Sequence, residues 1–361
     1  MRVHSIACAS LLALAALASP ALAQTLPQTP GAKNAITDVP GIEVGHYSES
    51  VGTGGMTGST AVIARGGAIA GVTQRGGAPG TRLTDLLRSE KSVGTVHAVS
   101  LSGGSAYGLA AADGVTSCLE AQGVGMQVAN GASVPLVPSA ILFDPGRCAP
   151  FTFRPDASFG AKACQAANSG PVAMGNIGAG AGARAGGVKG GIGTASAVLP
   201  GGVVVGAIVA VNSSGRTFDA AGNFYAGYIQ ASGDVTIPVA TLAPEADSQE
   251  LLRATTIAVV ATNARLTKSQ ANKVAQMADD GLARAIRVAH GTGDGDTVFA
   301  LATGTVATAP NINQIGGAAA DVLSRAIMRA IIAANAIHVG TGASGCNVSS
   351  YCEQFPSRCN R

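Results

Sequence analysis

Five stretches of the chain carry apolar, often β-branched residues with little polar interruption: 61–74, 96–101, 203–211, 256–262 and 297–303. Runs of this length and type predict buried strands. Three other stretches repeat their apolar positions at helical spacing. The segment 104–122 is alanine-rich. Thr267 and Gln270 form a capping box ahead of Ala271, Val274 and Met277, then Leu282, Ile286 and Ala289. Val322, Ile327 and Ile331 mark a last helix over 318–337. Pro79-Gly80 reads as a turn that opens a short helix through 87. Between these, 175–191 holds too many glycines for a helix and predicts a loop, and the polar stretch 213–253 reads as a surface connection. The pattern is mixed α and β, with no internal repeat and no boundary at which a second domain could be cut out.

Composition sharpens this picture. Of 361 residues, 47% are hydrophobic, 50 are glycine, 4% are aromatic and none is tryptophan. That describes a closely packed protein built on small side chains rather than a disordered one. Charge is sparse and balanced, 23 basic against 20 acidic side chains for a formal +3, with no run of either sign. A nucleic-acid or polybasic membrane partner is therefore not expected.

Residues 1–23 read as a secretory signal: Arg2 is the positive start, Ile6 to Leu17 the apolar stretch, and Ala21-Leu22-Ala23 the cleavage site before Gln24. The apolar run is shorter than the roughly 20 residues that span a bilayer, so the mature form, periplasmic or secreted, has no membrane partner. A leader follows over 24–35. Cys8 leaves with the signal, and six cysteines remain: Cys118, Cys148, Cys164, Cys346, Cys352 and Cys359. An exported chain permits three disulfides, whose pairing the spacing leaves open, and the tail 341–361 is expected to be stapled to something. Neither paired C-x-x-C spacing nor a nearby histidine supports a zinc knot there.

Several catalytic signatures are missing. None of the five histidines belongs to H-E-x-x-H, and Tyr107 in "GGSAYG" stands where a nucleophile elbow needs its second glycine. "GAGARA" at Gly180 lacks the preceding strand and distant acid of a dinucleotide loop, and no P-loop forms at Lys189. No cofactor and no metal are expected. What remains is Tyr107 in "LSGGSAYGL", Lys189 in "GGVKGGIGTASA", Asn212 in "AIVAVNSSG", and "TTIAVVATN" followed by "GDGDTVFALATG". Taken singly, each has an ordinary structural reading as a solvated charge, a turn residue or a β-former.

Taken together and in order, these segments resemble the self-processing family that includes L-aminopeptidase/D-esterases, β-peptidyl aminopeptidases and nylon-oligomer hydrolases. The likeness begins at "ITDVPGIEVGHY" (Ile36 to Tyr47), runs through "GSTAVIARGGAIAGVTQRGGAPGTRLTDLL", and covers all but the leader and the cysteine tail. The resemblance implies an α+β fold, a four-layer αββα sandwich of the N-terminal-nucleophile hydrolase type, over a single domain at 36–340. It implies a chain cut between Ala254 and Thr255 into pieces 24–254 and 255–361, with Thr255 as nucleophile. A threonine hydroxyl needs a base, and a freed α-amine with an unperturbed pKa near 7.7 to 8.0 supplies one.

By the same resemblance Lys189 keeps that amine neutral, Asn212 donates to the oxyanion, Asp294 and Asp296 orient the amine and hydroxyl, and Tyr107 lines the substrate pocket. The implied activity is release of N-terminal residues from short peptides or amino-acid amides, by a homo-oligomer of four cleaved pairs. The Asp294/Asp296 pair, which matches the nylon-hydrolase branch, favours β- or ω-amino acid amides as the alternative substrate. A catalytically inert scaffold of the same fold is the rival from another class.

Overall fold

The structure is a computed structural model that describes residues 29–231, 234, 239–240, 254–307, 309–340 and 345–359. The expected signal at 1–23, the start of the expected leader and residues 241–253 of the expected connection lie outside the described residues.

Among the described residues, fifteen strands follow one another as β1 Glu43–Ser50, β2 Met56–Gln74, β3 Thr81–Arg82, β4 Thr95–Ser102, β5 Met126–Gln127, β6 Ser133–Val134, β7 Ser139–Ile141, β8 Arg184–Ala185, β9 Val188–Lys189, β10 Gly191–Leu199, β11 Val203–Val211, β12 Ile257–Ala264, β13 Thr297–Val306, β14 Ile337–Val339 and β15 Cys346–Val348. The long helices are α1 Ala111–Ala121, α2 Ala157–Gln165, α3 Lys268–Ala285 and α4 Ile312–Ala333. Nine strands are hydrogen-bonded in the order β10-β11-β12-β13-β2-β4-β7-β3, with β1 on β2.

Strand β2 is 19 residues long and runs through both of the sheet layers into which this continuous hydrogen-bonded run folds. Its first half pairs with β1 and β4, and its last six residues, Ile69 to Gln74, pair with β13. The register breaks between Ile63 and Ala68, where Gly67 takes a φ of +78°, a value most side chains resist.

Alternation along the strands sorts side chains into layers. Val62, Val99, Leu101, Ile208, Ile257, Val259, Phe299 and Leu301 form one core, to which both sheets contribute. The intervening Val209, Val260, Val298 and Ala300 face the other way, onto Val274, Leu282, Val322 and Ile327 of α3 and α4. On the opposite side Ala61, Ile63 and Ala98 pack under Val115, Leu119 and Ala163 of α1 and α2. The result is helix, sheet, sheet, helix, the expected αββα order.

Disulfides join Cys118 to Cys164, Cys148 to Cys346 and Cys352 to Cys359. The first ties α1 to α2. The second holds the tail against the loop after β7, as the stapled tail was expected to be held.

Some expectations need correction. The segment 79–87 contains the short strand β3 ahead of a single 3-10 turn at Asp85–Leu87, because Thr81 and Arg82 pair with β7. The first part of 213–253 is not surface: Phe218 and Phe224 are buried against Tyr351 of the tail. The last helix begins at Ile312 and ends at Ala333, and α3 stops at Ala285, so Ile286 and Ala289 lie beyond it.

Candidate active site

One rim of the second sheet gathers residues far apart in sequence. Strands β10, β12 and β13 begin there and β11 ends there, since β11 is antiparallel to β10 and β12 while β12 and β13 are parallel. Lys189 precedes β10, Asn212 follows β11, Thr255 precedes β12, and Asp294-Gly295-Asp296 precedes β13. Ala254 and Asp294 form a parallel bridge at this rim.

Thr255 is buried, 6% exposed. Its backbone N–H donates to the Asn212 carbonyl at 2.6 Å, and its hydroxyl donates to the carbonyl of Ala254, the bond expected to break. The Gly295 N–H reaches both Thr255 Oγ1 at 3.1 Å and the Ala254 oxygen at 3.3 Å. The Thr255 hydroxyl, the Ala254 carbonyl and a backbone donor thus stand in mutual contact, a grouping that acyl transfer can use.

The two aspartates differ in their work. Asp296 accepts the Thr256 N–H at 2.7 Å on one oxygen and the His290 N–H at 2.9 Å on the other, where the His290 ring nitrogen Nδ1 also lies 3.1 Å away. Asp294 accepts the Gly291 N–H at 2.7 Å and the Ser214 hydroxyl at 3.3 Å. Burial, and then the charge of Asp296, push the Asp294 carboxyl above its ordinary pKa. The loop leaves no room beneath it: a Cβ on Gly76 would stand 2.3 Å from the Asp294 oxygen and 2.4 Å from the Asp296 nitrogen.

Behind Asp296 stands a buried relay that the sequence did not suggest. His290 lies 3.7 Å from Asp279, a fully buried carboxylate on α3 that also faces Arg75 at 3.5 Å. Burial raises Asp279 to about 6, against the opposing charges of His290 and Arg75. Burial works against a charged His290, but its contact with Asp296 and the charge of Asp279 outweigh it and raise its pKa.

Asn212 is fully buried, and its amide orientation is fixed by its neighbours. The Arg184 N–H at 3.1 Å and the Arg147 guanidinium both donate to Oδ1, so the amide nitrogen faces the Phe143 carbonyl at 3.4 Å. The Ala254 oxygen accepts the Gly295 N–H. Lys189 is buried as well, and Nζ donates to the carbonyls of Gly180, Ala183 and Gly190 at 3.2, 2.8 and 2.8 Å. It thereby organises the glycine-rich loop that carries Arg184. Tyr107 stands apart, half exposed, with the Arg154 guanidinium 3.5 Å over its ring and Phe151 edge-on.

Burial first, and then the Arg147 charge, lower Lys189 from 10.5 to about 7, with Asp144 opposing and Arg184 adding to the shift. The unfolded chain keeps this lysine protonated up to about pH 10.5 while the fold releases its proton near 7. Between those values the unfolded state binds more protons, so stability rises with pH across the window. Denaturant midpoints measured near pH 7 and pH 9 should show this rise, and Lys189→Met should flatten it.

Among the described residues, no group of three or more His, Cys, Asp and Glu is placed to hold a metal ion, and no helix is long and apolar enough to cross a membrane. Arg147, Arg184, Ser214, Gly295, His290 and Asp279 belong to the site or its support and were not singled out by the sequence, although Arg184, Ser214 and Gly295 lie inside segments quoted for other reasons. Only "AHGTGDGD", a histidine just ahead of paired aspartates, held a usable signal.

Comparison with known proteins follows the same outline. The profile of peptidase family S58 matches residues 34–344. An aminopeptidase of Mycobacterium leprae is 44% identical over 357 residues, covering 90% of this chain and 94% of that protein. The 6-aminohexanoate-oligomer endohydrolase of Kocuria sp. is 31% identical over 318 residues, covering 81% of this chain and 84% of its own length. Of solved structures, a Burkholderia sp. beta-aminopeptidase superposes with a TM-score of 0.67 at 25% identity, covering 92% of this chain and 94% of that one. The L-aminopeptidase D-Ala-esterase/amidase of Ochrobactrum anthropi, described as a variant of the Ntn hydrolase fold, gives 0.68 at 22%, covering 92% and 97%, a likeness of fold.

Proposed function

The chain belongs to peptidase family S58 and is a hydrolase with that family's aminopeptidase and amidase chemistry, and from this premise we propose that it cuts itself between Ala254 and Thr255 and works through Thr255. The contact of the Thr255 hydroxyl with the Ala254 carbonyl, under the shared Gly295 N–H, carries this reading.

In the self-cutting step Thr255 Oγ bonds to the Ala254 carbonyl carbon and the hydroxyl proton passes to the Thr255 nitrogen. The C–N bond then breaks to leave an ester, which water hydrolyses. Gly295 holds the oxygen as it gains charge. The new α-amine stays beside the Asn212 carbonyl, 2.6 Å away before the cut. As a free amine it accepts the hydroxyl proton when Thr255 attacks a substrate amide, and returns it to the leaving nitrogen. Asp296 fixes the amide that follows the nucleophile, and His290 and Asp279 fix Asp296.

The substrates proposed are short peptides and amino-acid amides cleaved at the N-terminal residue. The likeness to the Kocuria oligomer endohydrolase supports ω-amino acid amides as a second class. Export is supported by the leader pattern and by three disulfides, which persist in oxidising compartments. Assembly of four cleaved pairs completes the proposal and is read by light scattering on the purified enzyme.

The Cys148–Cys346 bridge shapes the decisive test, because it joins the two pieces across the cut. A denaturing gel should show one band without reductant and two with it, and N-terminal sequencing should begin at Thr255 for the smaller piece. A single band under reduction from fully active enzyme would refute self-cutting.

A further inference from the structure

Beside Ala254 opens a cavity of about 330 Å³, bounded among others by Ser214, Arg147, Arg184, Asn347 and Gln354. Its volume is that of a site for a small molecule. Two guanidinium groups line it. Arg147 is engaged by Asn212 Oδ1 and the Gly182 carbonyl. The Arg184 side chain contacts the sulfur of Cys148 at 3.5 Å, a weak acceptor, and among the described residues no carboxylate forms an ion pair with it. A guanidinium at a cavity wall without an anionic partner presents a fork of donors suited to a carboxylate. The other boundary is Ser214, whose hydroxyl leads to Asp294. The C-terminal tail forms part of the wall, held there by the Cys148–Cys346 bridge and by the Lys189 N–H on the Ser349 carbonyl at 2.8 Å.

We propose that this cavity is a carboxylate subsite, in which Arg184, backed by Arg147 and walled by the tail, binds the free carboxylate of a dipeptide-sized amide substrate. This rests on Thr255 being the nucleophile. It makes the substrate class short amides that end in an acid, rather than amides at large. The cysteine tail, an addition beyond the catalytic sheets, thereby becomes part of substrate recognition.

The test compares alanyl-alanine with alanyl-alaninamide as substrates of the purified, disulfide-intact enzyme and of its Arg184→Gln and Arg184→Lys variants. The wild type should favour the acid at least about tenfold in kcat/KM, chiefly through KM. In Arg184→Gln that preference should collapse to within about threefold of unity, and Arg184→Lys should restore part of it. Equal wild-type values, turnover of neither compound, or an Arg184→Gln loss that is the same for both compounds overturns the subsite. Activity surviving Thr255→Ala would instead overturn the nucleophile, so the two failures are told apart.

Discussion

Thr255→Ala is expected to give a single uncut chain that releases no product, with amide hydrolysis reduced at least about 10⁴-fold, the scale on which removal of a nucleophile acts. The effect is large because one side chain does two jobs. Its hydroxyl already touches the Ala254 carbonyl, so without it the chain is not cut. Uncut, the Thr255 nitrogen remains an amide donating to Asn212 and cannot take up a proton. Thr255→Ser keeps the hydroxyl and should be cut, at a changed rate. Intact-mass measurement under reduction and a coupled amide assay on the same preparation check both outcomes. An alanine variant that is cut and active would show that a different atom attacks.

Asp296→Asn should slow self-cutting by roughly 10²-fold and destabilise the fold by about 2 kcal/mol. Two backbone N–H groups, of Thr256 and His290, donate to the two Asp296 oxygens, and the His290 ring nitrogen Nδ1 lies 3.1 Å from one of them. An asparagine replaces one of those acceptors with a donor. A buried N–H is then left unpaired, at a cost of about 1–3 kcal/mol, and the charge facing His290 is lost. If the nitrogen end turns toward Thr256, the segment carrying the nucleophile is pushed from the Gly295 N–H, and small displacements of reacting groups are costly. A time course of cutting, with a denaturant melt, reads both effects. Cutting at the wild-type rate would place Asp296 outside the machinery.

The strands read from the sequence are those whose side chains fill the layers between other elements. Val203–Val211, Ile257–Ala264 and Thr297–Val306 face the inter-sheet core on one side and α3 or α4 on the other, so both alternating sets are apolar and the run is unbroken. Strand β10 is missing from that reading because α4 crosses it so closely that only small residues fit. A Cβ on Gly193 would stand 2.0 Å from the Ala326 carbonyl, and "GIGTASA" therefore looks like loop. Strand β1 escaped for the opposite reason: it lies outside the main strand path, paired to β2, and beyond Val44 and Gly45 its residues are half exposed and polar.

The site was legible as six separate residues but not as a place. Asn212, Thr255 and Asp294 meet because of pairing register between strands dozens of residues apart, which no local pattern encodes. The family resemblance supplied their association. It could not supply Arg184 or the His290–Asp279 pair, whose roles follow from which walls they happen to line.

The order of strands has one more consequence. Strands β12 and β13 come after the junction in sequence, yet they lie between β11 and β2, which come before it. Each fragment taken alone would be a sheet with its middle missing or a pair of strands with both flanks bare, so neither can exist as a finished object. The proposed scission would therefore be the final act of maturation rather than a step toward it: the polypeptide must first complete its weave, and the knife would be assembled only by the closing of the cloth it cuts.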